Sequence, residues 1–331
     1  MLRTRGVGRR MDKVIQIVLI RHGESLNNII YDEIRARFGA DVKAEVVEDE
    51  EGKMRRPDPG LSDRGMKQAQ RLGQFFGAGF DKALNPIEGA KLGRVQGSRQ
   101  PSEGEKKHGA SVVPWQVWTS PMQRALVTTR EMIRAMGQQE VDVRVHPELY
   151  ESGGCYEHGC GLPGATKSEI LSEFPEFVCE PGMDEGWYHG RPSMETSDEF
   201  MTRMDRVAAW LRAQQQHVVL VIHGNLISGL INRLVLGSEG NSAGNMGGLF
   251  IHYNSAFTHL QLFVEPLLQT DLSSPKVPIT SILGTNRIDH LVGCEVLLSG
   301  ARVHDDHWIQ EFTPLLQVYK TRAPSEHKVE I

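Results

Sequence analysis

Cysteine is scarce in this chain. The four present, Cys155, Cys160, Cys179 and Cys294 among 331 residues, are too few and too irregularly spaced for a disulfide framework, which fits a reducing compartment. No Asn-x-Ser/Thr sequon occurs, which also leans away from secretion. Long apolar runs are missing: the stretch at 218–222 is far shorter than the about 20 residues of a membrane-spanning helix. Positive charge is not in excess either. A net charge of -5 creates no overall basic field, so nucleic acid is not an expected partner and an anionic ligand needs a local basic pocket. These absences predict a soluble, cytoplasmic globular protein with neither membrane nor nucleic acid as partner. One local exception is the start of the chain, where Arg3, Arg5, Arg9 and Arg10 precede the first acid, Asp12. That run admits a mitochondrial transit peptide. It lacks serine and an amphipathic helix, and residues 1–13 read as a disordered arm.

What is present is a globular composition, 39% hydrophobic, enough for one large core or a core plus a subdomain. Six of the seven residues at 14–20 are aliphatic, which reads as a central strand of an α/β sheet. Stretches at 115–118, 141–145, 218–222 and 258–264 also have strand character. Between them lie helical patterns. Ser62 caps a predicted helix with Met66, Ala69, Leu72 and Phe76 on one face, and Ser120 with Pro121 is expected to cap and open another carrying Met122, Ala125, Thr129, Ile133 and Met136. A third begins at Ser197, with Phe200, Met204, Val207, Ala208 and Leu211 as its apolar stripe and the polar remainder facing water. Alternating strands and helices predict an α/β fold: a three-layer α/β/α sandwich around a mostly parallel sheet.

Three polar, Gly-, Pro- or charge-rich segments break that rhythm and read as insertions over the strand ends: 29–60, 81–113 and 152–196. The segment at 152–196 carries Phe174, Phe177, Trp187 and Tyr188 and is expected to fold as a cap, its aromatics either packing the cap or shaping a pocket. The segment at 81–113 is expected to be mobile. Residues 265–331 form a C-terminal extension in which 271–278 reads as a linker and 287–291 as a stretch that folds back on the core.

The chemistry gathers at strand ends, where ligands of open α/β sheets bind. The strand at 14–20 runs into Arg21, His22 and Gly23. The strand at 115–118 leads to Arg124, and the strand at 218–222 ends in His223 followed by Gly224. A histidine attacks phosphorus when its basic nitrogen is held in place and the phosphoryl oxygens are neutralised. Two histidines at two strand ends, with two arginines beside them, describe such an anion site. His158 between Cys155 and Cys160 matches no usual zinc spacing, and neither metal nor other cofactor is expected.

Arg21-His22-Gly23-Glu24-Ser25-Leu26-Asn27-Asn28 resembles the opening motif of the histidine phosphatase superfamily, in its phosphoglycerate mutase-like branch. The resemblance continues in family order through Leu61-Ser62-Asp63-Arg64-Gly65 with Gln68-Ala69, Thr119-Ser120-Pro121 with Arg124-Ala125, Leu149-Tyr150-Glu151, and Val221-Ile222-His223-Gly224. It covers residues 14–264. It implies that His22 is the nucleophile, that Arg21, Arg124 and His223 clamp the phosphoryl oxygens, and that Asn28 adds a hydrogen bond. Ser25 and Gly224 join the implied substrate-binding set, although Ser25 and Asn28 also suit a helix cap. Glu151 stands where the resemblance implies the general acid, with Glu148, Glu157, Asp184 and Glu185 as alternatives.

The implied reaction is hydrolysis of a phosphomonoester through a phosphohistidine, without a metal, on a small phosphorylated substrate or a phosphoprotein. Two other readings stay open. Mutase members resemble one another in a Glu-Arg-His-Tyr-Gly motif, where this chain has Glu151-Ser152-Gly153-Gly154-Cys155, a departure that favours hydrolysis over phosphoglycerate mutase activity. A noncatalytic phospho-ligand or scaffold protein is the other, since fold does not dictate function.

Overall fold

The computed structural model describes residues 14–39, 42–77, 79–84, 114–137, 141–237, 250–263, 280–294 and 297–300. The expected arm at 1–13, the linker at 271–278 and most of the insertion at 81–113 lie outside the described residues. The sheet is built on β1 (Val14–Arg21), which pairs in parallel with β7 (His217–Ile222) and antiparallel with β8 (Phe257–Phe263). Beyond β7 come β2 (Trp115–Thr119), β3 (Val143–Val145) and β6 (Phe177–Cys179), all parallel. Beyond β8 lies β9 (Thr280–Arg287), antiparallel to it. The order is β6-β3-β2-β7-β1-β8-β9, a mostly parallel sheet with an antiparallel edge.

Strand side chains alternate between two apolar layers, which is why β1 is aliphatic at nearly every position. Val18 and Ile20 enter one core with Leu72 and Phe76 of α3 (Asp63–Phe76) and Ala125, Leu126 and Met132 of α5 (Gln123–Met136). Ile15, Ile17 and Leu19 enter the other with α7 (Ser197–Arg212) and α8 (Gly224–Leu236). The three-layer α/β/α arrangement expected from the sequence is the observed one. Among the described residues, no helix is long and apolar enough to cross a membrane.

The insertion at 29–60 is helical rather than irregular: α1 (Leu26–Phe38) starts inside the opening motif and α2 (Ala44–Met54) follows. The insertion at 81–113 is entered through α4 (Phe80–Leu84). The insertion at 152–196 carries the hairpin β4 (Tyr156–Glu157) with β5 (Cys160–Gly161), then α6 (Lys167–Glu173) and β6. Its Phe174, Phe177, Trp187 and Tyr188 are buried in the α3–α5 core, so they pack the cap.

Two sequence expectations need correction. The helix after β2 starts at Gln123, with Met122 and not Ser120 at the N-cap and Pro121 ahead of the helix. The first helical amide, Gln123 N–H, is taken by the Asp58 carboxylate at 2.9 Å, while the Ser120 hydroxyl accepts from the N-cap residue's own amide, Met122 N, and meets His223. In α7 the polar side does not wholly face water. Arg203 is fully buried against Glu195.

Candidate active site

Three parallel strands end side by side, and their backbones stay bonded one residue further. His22 N donates to Ile222 O at 2.9 Å, and Ser120 N to Val221 O at 3.0 Å. His22, Ser120 and His223 are thereby fixed at adjacent places on one sheet edge. The turn after His22 passes very close to α3. A Cβ on Gly23 would stand 2.6 Å from Gly65 O, and one on Gly65 would stand 2.1 Å from Glu24 O. Two glycines are needed because two backbones touch.

His22 is buried, and its Nδ1 lies 2.6 Å from its neighbour's carbonyl, Gly23 O. A carbonyl only accepts, so Nδ1 carries the hydrogen and Nε2 keeps a lone pair. Opposite that nitrogen, Arg124 Nε donates at 3.2 Å. Burial first, then Arg124 and Arg21, push His22 well below the ordinary histidine value, so it is neutral near pH 7. The Gly23 amide is anchored by Thr128 Oγ1 at 3.0 Å, which in turn donates to Arg124 O. One α5 threonine thus ties the histidine turn to the arginine's own helix.

The His223 ring lies with its centroid 5.1 Å from that of His22. Its Nε2 is 2.7 Å from Ser120 Oγ, while Nδ1 is buried with no hydrogen-bond partner among the described residues. Burial, then Arg124, pushes His223 well below its ordinary value as well. Its ring is therefore neutral near pH 7, with a hydrogen on one nitrogen only. Arg21 Nη1 donates to the carbonyls of His252 and Gly300, the latter at 2.6 Å. Its position is set by the C-terminal part of the chain.

Glu151 sits at the start of the cap. Its carboxylate accepts from Ser152 N at 2.9 Å and from Asn225 N and Leu226 N at 3.3 Å, in the first turn of α8. Arg124 lies within its electrostatic reach. The other carboxylates considered lie elsewhere: Glu148 is paired with Arg206 at 2.5 Å, and Glu157, Asp184 and Glu185 are exposed. Ser25 is the N-cap of α1, accepting from Asn28 N, while Asn28 Oδ1 accepts from Ser25 N at 3.0 Å in a capping box. Gly224 opens α8 beside Arg21, where a Cβ would be 3.6 Å from Arg21 Nε.

Two further residues belong to this cluster, and sequence reading did not place them there. Ser120 read as a cap and as part of the Thr119-Ser120-Pro121 motif, with no site role of its own. Asp58 lay inside an apparent insertion, three positions before Leu61-Ser62, and nothing marked it. Burial pushes its carboxyl up to about 6, against the opposing pull of Arg124. The nearby thiol of Cys155 is pushed up to about 11 by burial, which leaves it protonated. Among the described residues no group of three or more His, Cys, Asp or Glu is placed to hold a metal ion.

A family model described as the histidine phosphatase superfamily (branch 1) matches residues 98–258. The matched stretch, just under half of the chain, is similar to that superfamily. The matched stretch carries Arg124, Glu151 and His223, and the Arg21-His22 motif lies upstream of it. Solved structures of the superfamily's phosphatases are similar at low identity. A mycobacterial glucosyl-3-phosphoglycerate phosphatase is 20% identical over 83% of this chain and 99% of its own, with a TM-score of 0.41. The alpha-ribazole phosphatase of Shigella flexneri is 18% identical over 82% and 96%, with a TM-score of 0.41. The ecdysone phosphate phosphatase of Bombix mori, solved with tungstate, is 16% identical over 79% and 96%, with a TM-score of 0.42. No curated protein matches the chain.

Proposed function

We propose that the protein is a phosphomonoester hydrolase that works through a phosphohistidine on Nε2 of His22. The observation that carries this reading is the pairing around one ring: Nδ1 locked on Gly23 O at 2.6 Å and Arg124 Nε opposite Nε2 at 3.2 Å. A neutral imidazole with its lone pair aimed at an arginine is a nucleophile facing an anion site. In the first step Nε2 attacks phosphorus in line with the leaving oxygen. Arg21 and Arg124 take the equatorial oxygens, with His223 Nδ1–H as a third donor. These guanidiniums supply the positive charge that such transfers require, so the step needs no metal.

Glu151 protonates the departing alkoxide, then takes a proton from the water that attacks the phosphohistidine. Release of inorganic phosphate restores the neutral ring. Hydrolysis is preferred to mutase chemistry because the glycine pair after Glu151 replaces the basic motif of mutases.

The test is hydrolysis of p-nitrophenyl phosphate by the parent and by His22→Ala, with acid quench of the parent on labelled substrate. Activity lost in the variant and acid-labile phosphate on His22 support the reading. Inactivity of the parent across a broad pH range, or label on another residue, refutes it. A panel of sugar phosphates, nucleotides, inositol phosphates and phosphopeptides then identifies the substrate.

A further inference from the structure

A fully buried ion pair lies behind the cap, outside the residues assigned to chemistry. Arg203 of α7 and Glu195, just ahead of that helix, have side chains that are both 0% exposed and joined twice, Nε to Oε1 at 2.7 Å and Nη2 to Oε2 at 2.6 Å. Such a pair adds little net stability over an apolar replacement, because desolvation offsets the attraction. What distinguishes this one is where its remaining donors go. Arg203 Nη1 donates to Glu148 O at 2.8 Å and to Tyr150 O at 2.9 Å. Those carbonyls belong to the backbone that leads into Glu151.

The same pair holds the chain on the far side of Glu151. Glu195 N donates to Gly153 O at 3.0 Å, and Glu195 Oε1 accepts the Tyr150 hydroxyl at 3.1 Å. The Arg203 guanidinium lies 3.7 Å from the centre of the Tyr150 ring. Gly153 and Gly154 both take positive φ, 88° and 75°, so the turn after Glu151 has little rigidity of its own. Its shape is imposed from outside by one arginine and one carboxylate.

We infer that the Arg203–Glu195 pair is a positioning device for Glu151, fixing the backbone on both sides of the residue that protonates the leaving group. This rests on the hydrolase reading given above. Misplacement of an acid by about 1 Å costs on the order of a hundredfold in a proton-dependent step. It costs little where the leaving group departs unaided.

That asymmetry supplies the experiment. The full-length chain is assayed for kcat/KM on phenyl phosphate, whose leaving group needs a proton, and on p-nitrophenyl phosphate, whose leaving group does not. Arg203→Lys keeps the charge and loses the planar fork. It is expected to lower kcat/KM on phenyl phosphate at least about tenfold and on p-nitrophenyl phosphate less than about threefold, in the direction of Glu151→Gln. Glu195→Gln, should Arg203→Lys fail to fold, is expected to show the same split. Tyr150→Phe, which leaves the pair intact, is expected to show it more weakly.

Equal losses on both substrates in folded Arg203→Lys and Glu195→Gln proteins, or no loss on either, overturn the positioning role while leaving the nucleophile untouched. Hydrolysis of both substrates by His22→Ala overturns the hydrolase reading, and the positioning role with it.

Discussion

Ser120 Oγ and His223 Nε2 lie 2.7 Å apart, and this contact bears on which nitrogen of His223 carries the hydrogen. Met122 N donates to the same hydroxyl at 3.2 Å, and with that lone pair used the favoured arrangement directs the serine's own hydrogen at Nε2. The histidine then carries its hydrogen on Nδ1, the buried atom without a partner among the described residues. Ser120→Ala removes that preference. It is expected to lower kcat about tenfold with a smaller change in KM, and nitrogen NMR of His223 is expected to change from a single Nδ1–H tautomer to a mixture. A parent spectrum already showing the Nε2–H form refutes the assignment.

The strand into Arg21-His22 was legible because a buried parallel strand must be aliphatic on both faces and must end where its residues can act. Both layers of helices were legible from stripes such as that of α3. What escaped were residues whose roles are set by distant partners. Asp58 is defined by an amide 65 positions away, Arg203 by carbonyls 53 and 55 positions away. Local periodicity marks Arg203 as a water-facing charge, since no pattern within α7 announces that Glu195 and the loop at 148–150 will enclose it. The edge strand β9 was missed for another reason. Its partly exposed, glycine-interrupted run lacks the apolar continuity that identified the inner strands.

The C-terminal segment at 297–300 braces the site. Gly300 O accepts from Arg21, while Leu297 O and Ser299 Oγ accept from Gln68, whose own Oε1 holds Glu24 N at 2.7 Å. Gly300 has φ 83°, and a Cβ there would stand 1.9 Å from Asn254 Oδ1. Gly300→Val combines that clash with a backbone strain of about 1–2 kcal/mol. Arg21 is expected to lose one of its two carbonyl anchors, that on Gly300, and keep the one on His252. The measurement is inhibition by orthovanadate, expected to weaken at least about tenfold in the variant as an oxyanion contact is lost. Unaltered vanadate inhibition in a folded variant excludes the bracing role.

The glycine contact between the histidine turn and α3 is a packing matter as much as a catalytic one. Gly65→Ala drives a methyl against Glu24 O, and no flexible side chain is there to yield. Overpacking of this kind costs about 1–3 kcal/mol, so a lower urea midpoint is expected together with reduced turnover. Unchanged stability and turnover together exclude the close approach.

Acid should destabilise the fold, and the sign follows from its buried histidines. Burial pushes His252, His259 and His290 each down to about 4 from an ordinary value of 6.5. Between those limits the unfolded chain binds protons that the folded chain does not, so stability is complete above pH 6.5 and is lost as pH falls toward 4. For the well-buried His252 and His290 the loss is on the order of 3 kcal/mol each, and less for the more exposed His259. Asp58 opposes this. Its folded value of about 6 lies above the ordinary 3.8, so it adds stability as pH falls through 6. One carboxyl does not offset three histidines, and the urea midpoint is expected to drop between pH 7.5 and pH 5. His290→Gln, which keeps a polar group near Ser255 Oγ, should make that drop shallower. A midpoint that holds or rises on acidification, or a slope unaltered in His290→Gln, shows that these histidines do not set the acid limit.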